Sequence, residues 1–321
     1  MSTPCRIGLL RLADSAPVLV ASAFNIFARH DLDVQPVIVP SWANIADGLV
    51  WNGLDGALMF PPLAIMTALG QRGRAIGLQP GLPISRGGNM IVLRGQNTEH
   101  ALWNSETDKH VAFQNWQRRL GRKPRLGVVH LYSTHYLILS RFLKNIAIVR
   151  DTETEIVIMP PARMIQALAE QEIDGFCAGP PWGADAQLKN LAFTVAGSAS
   201  TVPGHIEKML IMTEQWKNTH PNEINRLYQA LTEAVSLCRA PEEAAGIMTL
   251  LSNTVQNNGL DLPPDALPII MPGSNATADA MVFDTHEQNA DTSFGWMLED
   301  MQTEGWLTSS TMPRIKHLNW S

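Results

Sequence analysis

The chain has 321 residues, of which 45% are hydrophobic and 17% charged, and a formal net charge of -6. That length accommodates two domains with a core each, and the composition is that of a folded rather than a disordered protein. The acidic balance, with no run of Lys or Arg, argues against direct nucleic-acid binding; no apolar stretch approaches the ~18 residues of a membrane helix, so membrane insertion is not expected.

Cys5, Cys177 and Cys238 lie too far apart for a disulfide framework or a metal spacing. The opening stretch "CRIGLLRLAD" carries Arg6, Arg11 and Asp14 and reads as a first strand, not as the apolar core of a secretory signal. The expectation is a cytoplasmic protein, or a periplasmic one if a leader precedes this sequence.

In chain order, "RIGLLRL", "VQPVIVP", "GALMF", "RAIGLQ", "RLGVVHL", "TEIVIMP", "DGFCAG" and "AFTVAG" read as strands. Helical patterns separate them, among them "APVLVASAFNIFARH", "WANIADGLVWN", "PLAIMTAL", "THYLILSRFLKN" and "PARMIQALAEQ". Trp42, Ile45, Ala46, Leu49 and Val50 follow helical spacing, with Ser41 as a candidate cap and Gly53 as a stop. Alternation of this kind predicts βαβ units and mostly parallel sheets. From Glu214 onward the pattern is mainly helical.

A second order lies over the first. Arg6–Pro62 aligns on Arg125–Pro181 without a gap, placing Arg6, Gly8 and Leu12 on Arg125, Gly127 and Leu131. The ending Asp55-Gly56…Pro61-Pro62 falls on Asp174-Gly175…Pro180-Pro181. The same unit used twice predicts two similar α/β lobes. We place lobe I at residues 1–85 plus 206–321 and lobe II at 86–205, with crossings near 79–89 and 197–208. Ligands of open α/β sheets sit beyond the carboxyl ends of the strands, where helix N-termini point.

Trp42 opens such a helix, as ordinary core or as one wall of a cleft. His135 opens another, capped by Ser133 or Thr134; it is either bonded to a nearby carbonyl or aimed at the cleft. Ser133 with His135 invites a hydrolase reading, but no G-x-S-x-G accompanies them. No zinc, Walker or dinucleotide motif follows a strand, and no cofactor is expected. Lys208, in "GHIEKMLIMT", reads by itself as a solvated lysine.

Together, "LADSAPVLVA", "SWANIADGLVWNGLDGALMFPP", "STHYLILSRFL", "MPPARM", "DGFCAGPPW" and "HIEKMLIMTEQW" resemble the nitrate- and bicarbonate-binding branch of the solute-binding proteins of ABC transporters. The resemblance spans roughly residues 6 to 216 and implies the two-lobed type II periplasmic-binding-protein fold. Each lobe would be a mixed, mostly parallel sheet flanked by helices, followed by a helical C-terminal part.

It also implies a ligand set. Trp42 matches the tryptophan of the family's "SW" turn, His135 the histidine of its "G-T-H" turn and Lys208 the lysine of its "E-K-x-L" stretch. Bicarbonate-binding relatives carry an acidic residue at that last position and recruit calcium. Asn89 stands where nitrate binders have a glutamine, Gly179 precedes the Pro-Pro pair, and Pro180 replaces a family carboxylate. Indole, imidazole, amide and ammonium donors suit a planar anion that only accepts hydrogen bonds.

The implied function is nitrate or nitrite binding without catalysis, in a cytoplasmic sensor that holds an RNA-binding antiterminator until ligand closes the lobes. The alternative is the solute-binding component of an ABC importer, whose partner is a membrane permease. A third reading is an enzyme on the same fold, using Cys177 or Ser133.

Overall fold

The structure is a computed structural model that describes residues 4–271, 280–285 and 290–320. Two sheets form in three passes of the chain. The first pass lays down β1 (Cys5–Leu9), β2 (Val34–Ile38), β3 (Gly56–Met59), β4 (Leu78–Gln79) and β5 (Pro83–Gly87). The second builds a separate sheet from β6 (Met90–Arg94), β7 (Arg125–Val128), β8 (Glu155–Ile158), β9 (Gly175–Ala178) and β10 (Ala192–Gly197). The chain then returns to the first sheet with β11 (Ile206–Thr213) and β12 (Met281–Phe283).

The first sheet runs β12-β5-β11-β3-β1-β2, with β4 also on β11, and the second runs β10-β6-β9-β7-β8. Both are mixed, for one reason. The repeated unit supplies the parallel pairs, β2-β1-β3 in one lobe and β8-β7-β9 in the other. The strands beside the crossings, β5, β6, β10 and β11, pair antiparallel.

The Asp-Gly of the repeat closes each unit. Asp55 accepts the Arg6 backbone N–H at 2.9 Å and returns its own N–H to the Arg6 carbonyl at 2.9 Å. Asp174 does the same with Arg125, at 3.0 and 2.7 Å. Each glycine lets a neighbouring strand approach: a Cβ on Gly56 would stand 2.9 Å from the Ile211 carbonyl, and one on Gly175 would stand 2.5 Å from that of Val92. The motif is therefore architectural in both lobes.

Several elements differ from the sequence reading: β5 and β6, which flank the Gly87-Gly88 turn, are not among its strands, and two more differ. "RAIGLQ" contributes only the two residues of β4, because β11 gives most of that edge to β5 and leaves Met212 and Thr213 to pair with it. Within the helical C-terminal part, three residues form β12, antiparallel to β5, too short to show a periodicity.

The crossing from β5 to β6 turns on Gly87 and Gly88, at φ 63° and 81°, a region that residues with a Cβ rarely enter. The C-terminal helix Ala290–Thr303 packs on helix Pro61–Ala68 of one lobe and helix Thr134–Asn145 of the other. Arg141 pairs with Asp300 at 2.5 Å and Arg150 with Glu304, just past the helix, at 2.7 Å, which ties this end to the second lobe. Among the described residues, no helix is long and apolar enough to cross a membrane.

Candidate functional site

The ends of the repeated strands meet where the lobes face each other. Helix Trp42–Val50 starts at Ser41, whose hydroxyl accepts the Asn44 N–H, and it buries Trp42, Ile45, Ala46, Leu49 and Val50. Trp42 is 1% exposed and packs on Phe60, ring centroids 4.2 Å apart. Its Nε1 has no hydrogen-bond partner among the described residues.

From the other lobe, helix Thr134–Asn145 is capped by Ser133, which accepts the Tyr136 N–H. His135 is thereby fixed in its first turn, fully buried, 5.8 Å from the Phe60 ring. Phe60 thus touches both Trp42 and His135 across the cleft. Gly179, just after β9, leaves room beside them: a Cβ there would lie 3.4 Å from His135 Nε2 and 3.6 Å from Asn89 Oδ1.

Lys208 is not a surface lysine. It is fully buried in β11, with its ammonium 5.3 Å from the Trp42 ring centre and 5.4 Å from that of Phe60. It bridges two carboxylates, Asp14 at 3.0 Å and Glu207 at 2.5 Å.

The centre of the group is Glu207. Consecutive residues of a strand normally point to opposite faces. Here the pairing of β11 with β5 shifts register on either side of Lys208, and Glu207 and Lys208 reach the same cluster. The Glu207 carboxylate accepts from Asn89 Nδ2 at 2.6 Å, from Thr134 Oγ1 at 2.8 and 3.0 Å, and from Lys208. Its Oε2 is 2.9 Å from His205 Nε2, and its Oε1 is 3.2 Å from His135 Nε2, the latter contact lacking hydrogen-bond alignment.

Burial pushes the Glu207 carboxyl up, but the Lys208 charge, the His135 ring and the hydrogen bonds hold it well below the usual carboxylate range. Burial likewise opposes the Lys208 charge, and Asp14 and Glu207 overcome it, so the ammonium titrates above the usual lysine range. Burial dominates at Asp14, which is raised, and at His135, which is lowered. With that imidazole neutral, Lys208 is the cation that keeps Glu207 ionised.

The five residues singled out in the sequence, Trp42, Asn89, His135, Gly179 and Lys208, all border this cluster, but Asn89 is turned from its expected task. Its NH₂ is bonded to Glu207, and its Oδ1, without a partner, faces Gly179. Pro180 turns its carbonyl to the Ala13 N–H of the opposite lobe at 3.0 Å. Asp14, Phe60, Thr134, His205 and Glu207 are members the sequence reading missed. The proposed nucleophiles are otherwise occupied. Ser133 Oγ donates to the His130 carbonyl at 2.7 Å; Cys177 lies buried in β9, its thiol pushed up by burial and by Glu207, hence protonated.

Comparison with known proteins agrees with this architecture. The NMT1-like family matches residues 2–252. The bicarbonate transport ATP-binding protein of Synechococcus elongatus is 34% identical over 283 residues, which is 87% of this chain and 41% of that protein. The nitrate/nitrite binding protein of the same organism is 27% identical over 251 residues, 73% of this chain and 55% of that protein. The chain thus spans only part of the length of these relatives. The crystal structure of the periplasmic nitrate-binding protein from Synechocystis PCC 6803 is similar at a TM-score of 0.86 and 19% identity, over 98% of this chain and 85% of that one. That likeness establishes the periplasmic-binding-protein fold.

Proposed function

Because the chain belongs to the NMT1-like family, we propose that its cleft captures a small oxyanion, nitrate or nitrite first and bicarbonate next, as the solute-binding component of an ATP-driven importer. The carrying observation is the Trp42 indole N–H, buried without a partner among the described residues, with the Lys208 ammonium over its ring and Phe60 between it and His135 of the other lobe. Hydrogen bonds to a charged group contribute ~1.5–3 kcal/mol each. Three or four of them reach micromolar affinity, about -8 kcal/mol, after ordering costs.

Importer relatives support this role by name: the matched proteins are a bicarbonate transport component and a nitrate/nitrite binding protein. Calorimetry with nitrate, nitrite, bicarbonate plus calcium, and an alkyl sulfonate tests the ligand. Absence of heat with nitrate, nitrite and bicarbonate, on protein shown to be ligand-free, rejects the reading.

The finer role of a cytoplasmic sensor that releases an antiterminator rests on the sequence resemblance alone. Co-purification separates the two roles. Nitrate-sensitive retention of an RNA-binding antiterminator supports the sensor, and retention of a membrane permease supports the importer.

A further inference from the structure

The buried cluster holds one more carboxylate than ammonium: Asp14 and Glu207 against Lys208 alone. An anion entering beside them adds another negative charge in a site shielded from water. Like charges in close contact and shielded from water repel more strongly than one charged hydrogen bond attracts. A cation must accompany the anion, and the geometry shows where a proton would be held.

His205 lies on the return crossing, 4% exposed. Its Nδ1 is 3.1 Å from the Val202 carbonyl and its Nε2 is 2.9 Å from Glu207 Oε2. Both oxygens are acceptors. A neutral imidazole has a single N–H, so either tautomer sets a ring lone pair against an oxygen lone pair; only the imidazolium satisfies both contacts. Asn89 Nδ2 gives one N–H to Glu207 and can turn its second toward Nε2 at 3.3 Å, but the 2.9 Å contact of Nε2 with Glu207 Oε2 is matched only by a ring N–H. The Trp296 ring meets the imidazole edge-on.

The other charged and titratable groups around the cluster are committed or unsuited. Arg86, beside this crossing, pairs with Asp284 at 2.9 Å and donates to the Gly204 carbonyl. Lys208 already carries its proton, and Cys177 remains a thiol. Among the described residues His135 has no aligned acceptor at either nitrogen; Asp14, raised by burial and paired with Lys208, is the competing acceptor, and a proton uptake that persists in His205→Gln would place the proton there and overturn the proposal.

We propose that the cleft binds its anion only with His205 protonated, so that capture takes up one proton wherever the free protein's imidazole is neutral. The N–H bond forms at the ring nitrogen facing an unmatched acceptor, and the proton comes from solvent. This deepens the anion-binding reading and rests on it. Glu207 thereby becomes a specificity element: it ties the site's charge to pH and penalises an anion that arrives without a proton.

The test is calorimetry of the full chain with sodium nitrate, from about pH 6 to about pH 9.5, in buffers of different ionisation enthalpy. The expected result is a proton uptake that rises toward one, with nitrate affinity falling about tenfold per pH unit over the alkaline part. His205→Gln, which never carries the proton, should bind nitrate at least about a hundredfold more weakly at low pH, like the unmodified protein at its alkaline limit, with no proton uptake and no pH dependence. If that variant fails to fold, the proton count of the unmodified protein still decides. Nitrate binding with no proton uptake and constant affinity throughout overturns the proposal and leaves anion binding intact. No binding of nitrate at any pH, with bicarbonate also silent, rejects the anion reading itself.

Discussion

Lys208 Nζ lies 2.5 Å from Glu207 Oε1 and 3.0 Å from Asp14 Oδ2, with all three side chains buried. Breaking a buried pair by removing one partner costs about 3–5 kcal/mol, because the remaining charge loses its compensation. Lys208→Met should therefore destabilise the protein by about that amount at neutral pH, and adding Glu207→Gln should recover much of the loss. Denaturant unfolding of the two single variants and the double variant gives the coupling. Additive losses would show that Lys208 does not act through Glu207. Lys208→Glu should give no heat with nitrate, and survival of affinity within a few fold would remove the charge argument.

Trp42 separates binding from packing. Its ring packs on Phe60 and beneath the Lys208 ammonium, while its N–H has no partner to lose among the described residues. Trp42→Phe keeps an aromatic ring and removes the donor. We expect about a tenfold or greater loss of nitrate affinity, the equivalent of one charged hydrogen bond, with stability changed by about 1 kcal/mol. Unchanged affinity would return Trp42 to ordinary core.

Gly179 tests the space between the lobes. A Cβ there would reach ordinary contact distance from His135 Nε2, Asn89 Oδ1 and Leu12 Cδ2. The backbone at Gly179 lies outside the left-handed region, so a side chain brings no backbone strain. Gly179→Ala should alter affinity only about twofold, whereas the branched Gly179→Val should weaken nitrate binding at least about tenfold with little change in unfolding midpoint. Equal affinities in the three proteins would place the anion elsewhere.

How much of this was legible depended on how local each signal was. The repeat and its Asp-Gly closures could be read because Asp55 and Asp174 act on strands within their own units. Trp42 and His135 were legible as first-turn residues after strands, a position set by Ser41 and Ser133. Glu207 was not: strand alternation points it away from Lys208, and only the register shift against β5, a long-range pairing, brings it in. Asp14 read as a charge in a strand-like start, and its partner lies far along the chain. His205 depends on a crossing whose path no local pattern specifies.

His130 links the lobes to pH in a separate way. It follows β7, is 9% exposed, and accepts the Tyr132 N–H at Nδ1. Burial, then the Arg72 charge from the facing lobe, lowers it to about 4, with Asp47 opposing. A histidine lowered on folding binds its proton more readily in the unfolded chain, whose value is about 6.5. Its contribution is present above about pH 6.5 and is lost as pH falls toward about 4, an effect on the order of 3 kcal/mol. His135, also lowered by burial, adds loss in the same direction. Urea unfolding across this range should show the wild-type protein losing stability, and His130→Gln should flatten part of that slope while leaving the remainder, to which His135 contributes. An identical slope in the variant would mean that His130 is no less basic in the folded protein than in the unfolded chain.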